Sequence, residues 1–206
     1  MKGRFLMMNI TYVLDGKLYL NITNKCPCAC TFCIRKNGDG AYGSDSLWLE
    51  HQPSEEEVIK ALEKADLKKY KEVIFCGFGE PTSEIEILKS AARFIRSETD
   101  ATIRINTNGL SDLINGRETA QELKGLFDVV SISLNGSDAK EYCRVTQPKF
   151  GEEAFYSMLS FAKQAKEIFP KVILTVVDVI SKEEIEKCRE LCESVGIPLR
   201  VREYAD

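Results

Sequence analysis

The sequence predicts an α/β fold, a curved and partly open barrel of parallel strands with helices outside it and a β-hairpin in front. Three observations carry this. Short apolar, β-branched runs recur at 18–23, 71–77, 102–107, 128–134, 172–177 and 199–204, the composition of strands buried in a parallel sheet. Amphipathic helical stretches separate them, and a β(αβ) order places the helices on the outside of the sheet. Six such strands are too few to close an eight-stranded barrel. The 206 residues form one expected domain, with 1–17 as the hairpin strand and 18–206 as the partial barrel.

Each element follows from local chemistry. Asp15-Gly16 between two apolar runs suits a tight hairpin turn, and the run from Leu18 to Thr23 leads directly into a cysteine-rich loop. A polar stretch from Ile34 to Gln52, with Tyr42 and Trp48, is long for a strand-to-helix connection and reads as a functional loop. Ser54 and Glu57 form a capping box ahead of Val58, Leu62 and Ala65. The second strand ends in Gly77-Phe78-Gly79-Glu80-Pro81-Thr82, and Ser83 with Glu86 is expected to cap the next helix, which buries Ile87, Leu88, Ala91 and Ile95. The third strand closes on Thr107-Asn108-Gly109. A short helix is expected around Leu123 and Leu126. In the fourth strand Ser131, Ser133 and Asn135 alternate with Val130, Ile132 and Leu134, so they share one polar face. Asp138 to Phe150 reads as a mixed loop and a candidate substrate wall. A helix over 151–166 buries Phe155, Leu159 and Ala162. Asp178 ends the fifth strand, Ser181 and Glu184 form another capping box, and Cys188 and Cys192 fit a buried helical stripe better than a metal site. Gly196 and Pro198 stop that helix.

Composition narrows the function. Hydrophobic residues make up 44% and the net charge is -4, with a pI of about 5.3; bulk charge does not favour nucleic acid. No apolar run reaches membrane-spanning length, and the start is too short in apolar residues for a signal peptide. A cytoplasmic location, where thiols stay reduced, is expected.

The chemistry lies in Cys26-Pro27-Cys28-Ala29-Cys30-Thr31-Phe32-Cys33. Cys26, Cys30 and Cys33 give C-x-x-x-C-x-x-C, three thiolates on one loop. Such a set holds three irons of a cubane cluster and leaves the fourth open, unlike the four-cysteine set of an electron carrier. Structural zinc favours paired C-x(2–4)-C motifs, and disulfides fit a secreted chain. Cys28 is the spare: a buried residue, an alternative ligand or a support to the other three. Arg35 and Lys36 follow the last cysteine and face either the cluster region or solvent. Glycines in the Gly77–Glu80 turn allow close approach of a ligand to the backbone, and Glu80 offers an anion for an ammonium group.

On these motifs the chain resembles the radical S-adenosylmethionine (radical SAM) superfamily. The resemblance implies a partial (β/α)6 barrel, a 4Fe-4S cluster on Cys26, Cys30 and Cys33, and SAM as cofactor. It implies cofactor-binding roles for Phe32, packed near the adenine, for Gly77, Phe78, Gly79 and Glu80 at the methionine amino group, for Asn108, and for Ser133 and Asn135 at the ribose or carboxylate, with Asp178 and Arg202 as further candidates. Phe78 stands where many members carry a second glycine. The implied reaction is reductive cleavage of SAM to a 5′-deoxyadenosyl radical that abstracts hydrogen from an unidentified substrate, with the electron from an external flavodoxin- or ferredoxin-type donor. The strings 24–33 and 144–151 are most similar to TatD-linked radical SAM proteins, which implies a functional link to a TatD-type nuclease. Alternatives are an iron–sulfur electron-transfer protein using Cys28 as fourth ligand, a 7-carboxy-7-deazaguanine synthase-like enzyme, a glycyl-radical activase and a zinc-stabilised binding module. No Cys-rich segment follows the sixth strand, and an open barrel side that a partner or substrate closes is expected.

Overall fold

The computed structural model describes residues 8–41 and 43–204; Tyr42 lies outside them. Strands β1 (Thr11–Leu14) and β2 (Lys17–Leu20) form the predicted antiparallel hairpin. Asp15 and Gly16 both take positive φ, 49° and 71°, as a two-residue hairpin turn matched to strand twist requires. Strands β3 (Glu72–Phe75), β4 (Thr102–Thr107), β5 (Val129–Ser133), β6 (Lys171–Val177) and β7 (Leu199–Arg202) follow. All pair in parallel, and the sheet order is the chain order, β1 to β7. The strand ends β1 and β7 do not pair, so the sheet is open.

The register separates the two faces of this sheet. One face carries Leu18, Leu20, Val73, Phe75, Ile103, Ile105, Val130, Ile132, Val172, Leu174 and Val176, all buried, in the large core cluster shared with the helices. Phe75 meets Phe127 edge-on at 5.6 Å. Burying each such side chain contributes about 1.5–3 kcal/mol. The other face is concave and mostly polar. Tyr19, Ile74 and Arg104 align across it, then Asn106, Ser131 and Ile173, then Ser133, Thr175 and Arg200, and last Val177 and Arg202.

Helices α1 (Glu55–Lys64), α2 (Ile85–Glu98), α3 (Ser111–Asn115), α4 (Ala139–Thr146), α5 (Glu153–Ile168) and α6 (Lys182–Val195) complete the fold. The Ser54/Glu57 capping box forms in full. Cys188 and Cys192 are buried on α6, and Gly196 ends that helix in the left-handed region.

Several expectations change. Ser83 and Glu86 do not cap α2: a 3-10 turn, Pro81–Glu84, intervenes, and the Glu80 side chain caps that turn through Thr82 N–H. Pro81 suits the first position of the turn, where an N–H would have no intrahelical partner anyway, and the capping role falls to Glu80, three residues before Ser83. Ile85, not Ile87, is the buried residue at the α2 start. Between β4 and β5 the expected helix is replaced by the one-turn α3 and a 3-10 turn, Ala120–Leu123. The expected loop over 138–150 is largely α4, capped by Asp138, which accepts from Glu141 N–H. Ala139, Tyr142, Val145 and Thr146 give α4 a buried face. At α6, Ser181 accepts from Glu184 N–H, but the Glu184 carboxylate accepts from Ser137 N–H at 2.7 Å instead of closing a box.

Candidate active site

The site gathers where β2, β3 and β4 end. The cysteine loop leaves β2 and is held against the end of α4. Ala29 N–H donates to Thr146 O at 3.1 Å, Thr31 N–H to Val145 O at 2.9 Å, and Lys149 N–H to Pro27 O at 2.9 Å. Cys28 and Pro148 add a β-bridge. The residues read as a substrate wall are thus the seat of the cysteine loop.

Cys26, Cys30 and Cys33 are half-buried and Cys28 is buried. The Cys28 thiol lies between Cys26 and Cys30. Hydrogen bonding to those two thiols, then burial, raises Cys28 so that it keeps its proton. The same hydrogen bonds chiefly lower Cys26 and Cys30. Further N–H donors face the sulfurs. Arg35 Nε lies 3.4 Å from Cys33 Sγ, and Asn108 Nδ2 lies 3.9 Å from Cys26 Sγ and 3.8 Å from Cys28 Sγ. Arg35 is fixed from behind by Asn24 O at 3.1 Å and by the Trp48 ring, 5.8 Å away.

This donor set fits an iron–sulfur cluster. Soft thiolates, partial burial and N–H groups aimed at sulfur are what such a cluster takes from its protein. A cubane binds one thiolate at each of three separate corners. Among the described residues no three His, Cys, Asp or Glu side chains surround a single point as a one-ion site requires.

The turn after β3 packs directly on the exit of β2. A Cβ on Gly77 would lie 2.1 Å from Asn21 Oδ1, and one on Gly79 would lie 2.3 Å from Thr23 O. The glycines are therefore required by the chain's own contacts, whatever ligand approaches. Phe78 N–H donates to Asn21 Oδ1 at 3.1 Å. Phe78 itself is buried and meets Trp48 edge-on at 5.0 Å.

Glu80 is occupied. Its Oε1 accepts from Thr82 N–H at 3.1 Å, Thr82 Oγ1 at 2.8 Å and Thr107 Oγ1 at 2.7 Å, and its Oε2 accepts from Asn108 N–H at 2.7 Å. Burial pushes the carboxyl up against the pull of these donors. The anion read as a partner for an ammonium group locks the β3 exit to the β4 exit, with lone-pair capacity left on Oε2.

The connection over 37–52 is strapped across this end of the sheet. Asn21 Nδ2 donates to Leu47 O at 2.6 Å, Asn24 Nδ2 to Leu49 O at 2.8 Å, and Gln52 Nε2 to Ile22 O at 2.9 Å. Sequence reading passed over Asn21, Asn24 and Thr107. The signal for Asn21 was present: an amide inside the apolar run Leu20-Asn21-Ile22.

Of the remaining predicted residues, Phe32 is half-buried and packs on the core beside Cys33. Ser133 is half-buried on the concave face at the end of β5. Asn135 follows with φ 53° and is buried, its Oδ1 accepting from Val177 N–H at 3.3 Å. Asp178 Oδ1 accepts from Tyr204 N–H at 2.7 Å and so fixes the chain after β7. Arg202 is exposed on the concave side of β7. The structure thus brings the cysteines, Phe32, the Gly77–Glu80 turn and Asn108 together. Ser133, Asn135, Asp178 and Arg202 sit at the carboxyl ends of β5, β6 and β7, further along the same rim.

An open parallel barrel with a three-cysteine loop at its carboxyl rim defines a class of iron–sulfur protein. The sequence profile of the radical SAM superfamily matches residues 20–192, and the chain belongs to that superfamily, a family of enzymes. Solved structures share its fold. SuiB of Streptococcus suis bound to precursor peptide SuiA superposes with a TM-score of 0.64 at 17% identity, over 92% of this chain and 39% of that one. A radical SAM methyltransferase of Sphaerobacter thermophilus gives 0.63 at 14% identity, over 94% and 68%. anSMEcpe with bound AdoMet gives 0.62 at 18% identity, over 91% and 51%. The chain spans about two fifths of SuiB and half of anSMEcpe. No curated protein matches the sequence.

Proposed function

We propose that this chain binds a 4Fe-4S cluster through Cys26, Cys30 and Cys33 and SAM along the neighbouring rim, and acts on a substrate held over the concave face. One observation carries the reading: three half-buried thiols sit on one loop at the strand ends, with Arg35 and Asn108 N–H groups on their sulfurs. When bound, the two cofactors supply reductive cleavage of the sulfonium and a hydrogen-abstracting 5′-deoxyadenosyl radical.

The chain's own residues orient and shield. Arg35 and Asn108 stabilise anionic sulfur by charge-assisted and amide hydrogen bonds. Glu80 fixes the turn that meets the methionine end of SAM, and Phe32 offers a ring for the adenine. Ser133 and Asn135 are the ribose or carboxylate contacts. The strap over 37–52, with Trp48 and Phe78, excludes water from the cluster side. The electron comes from an external flavodoxin- or ferredoxin-type donor, in a reducing cytoplasm. Among the described residues no helix is long and apolar enough to cross a membrane.

Within the superfamily, the reading includes a resemblance to the TatD-linked proteins and so a functional link to a TatD-type nuclease. The two marker strings, 24–33 and 144–151, make one unit here through the Cys28–Pro148 bridge, which supports reading them together.

The test is anaerobic. Reconstituted protein with dithionite and SAM is expected to yield 5′-deoxyadenosine, and Cys30→Ala to yield none. A second reading, an electron carrier, draws on the placement of Cys28 between Cys26 and Cys30. Electron paramagnetic resonance of the reduced cluster decides: a spectrum that SAM leaves unchanged supports the carrier.

A further inference from the structure

The concave face holds more positive charge than its acids use. Arg104 and Lys17 both pair with Glu72, and Glu80 is consumed by its four donors. Arg200 and Arg202 remain. They stand two residues apart on β7, on the concave side beside Thr175 and Val177, with no ion pair among the described residues. The chain's overall charge is -4, so this is a local reversal of sign. Edge strands often carry cations simply to block pairing. Here both cations face inward, while Leu199 and Val201 occupy the other side. Arg202 also lies within electrostatic reach of the Cys76 thiol on β3's exit, across the sheet.

Unsatisfied groups lie on the same face. Among the described residues four buried side-chain polar atoms lack a hydrogen-bond partner, and two of them, Arg104 Nε and Asn106 Oδ1, belong to β4. Both residues point to the concave side, Asn106 level with Ser131 and near enough to the Cys76 thiol to lower it against the upward push of burial. A buried polar atom without a partner is costly to keep, and two on one face mark where a ligand's polar groups would be satisfied.

We propose, resting on the reading above, that the substrate is anionic: a carboxylate or phosphate pairs with Arg200 and Arg202, and an N–H or O–H group of the same molecule donates to Asn106 Oδ1. Arg202 is also a candidate SAM contact on the sequence resemblance, but the cofactor's net charge does not call for two unpaired guanidiniums. SAM carries one carboxylate against an ammonium and a sulfonium. Paired guanidinium forks suit either oxyanion, so the chemistry is shared and the probe separates the sources.

The experiment is equilibrium dialysis of the anaerobic, cluster-loaded protein with labelled inorganic phosphate and, separately, labelled glutarate, each with and without saturating SAM. Saturable binding of one anion per chain is expected, with the tighter probe naming the oxyanion. Arg200→Gln/Arg202→Gln should weaken it by roughly tenfold or more, the loss of a charge-assisted hydrogen bond, and Lys163→Gln on α5 should not. Arg200→Lys/Arg202→Lys should retain part of the affinity, which a folding defect would not produce. Absence of saturable binding for both probes, binding indifferent to the arginines, or displacement by SAM overturns the proposal. Formation of 5′-deoxyadenosine is measured on the same samples, so failure of the radical SAM reading shows separately from failure of the anion site.

Discussion

The cysteine loop at the rim and the concave face of the sheet are built differently. Around the cysteine loop nearly every polar group has a partner within the chain: Glu80 with four donors, Asn21 and Asn24 holding the 37–52 strap, Arg35 fixed between Cys33 Sγ and Asn24 O. On the concave face below the rim, Asn106 and Arg104 of β4 keep orphan atoms, and Arg200 and Arg202 of β7 face the concavity without ion pairs among the described residues. A site for a fixed inorganic group profits from rigid donors set in advance. A site for an exchanging substrate leaves polar groups for the ligand to satisfy.

The largest expected effect is on the cysteine side. Cys30→Ala should abolish cluster assembly, read as loss of iron and sulfide after reconstitution and of all 5′-deoxyadenosine. An intact cluster in that variant would reassign the ligand set to include Cys28.

Next is Glu80→Ala, which strands the Thr107 hydroxyl and the Asn108 N–H in the interior. A loss of roughly 3 kcal/mol is expected in urea unfolding. The pH dependence has a definite sign. The folded carboxyl is raised above its ordinary 4.5, so the folded state binds more protons, and stability falls as pH rises from about 4.5 through the raised value. Glu80→Gln should remove that slope. An unchanged slope would put the titration on another group.

Gly79→Ala should cost about 1–3 kcal/mol, because its Cβ would sit 2.3 Å from a backbone oxygen, Thr23 O, which has no rotamer to move. The smallest effect tests the other side. Asn106→Leu removes an orphan acceptor and should be neutral or stabilise by about 1 kcal/mol. If it destabilises as Glu80→Ala does, the two sides are equally committed and the contrast fails.

Much of this was legible in the chain. Asp15-Gly16 fixed the hairpin turn through its positive φ. Ser54 with Glu57 placed the α1 start, and the cysteine spacing marked the candidate site, because the spacing of thiols on a short loop is local. The α4 stretch reads as a loop by its mixed composition, although Asp138-x-x-Glu141 and the spacing of Ala139, Tyr142 and Val145 carry a helical period. Glu184 was misassigned because a capping box and a bond to a distant N–H look identical in sequence.

By itself the sequence determined the strands, their order, the parallel sheet, the longer helices and the three clustered thiols, since period, turn chemistry and residue spacing act over a few residues. The tertiary structure decided which polar groups are already satisfied. It turned Glu80 and the two glycines into internal fastenings, seated the cysteine loop on α4, and left Asn106, Arg200 and Arg202 facing the concavity. Those outcomes depend on which strand ends meet, and residues tens of positions apart settle that only when the sheet is assembled.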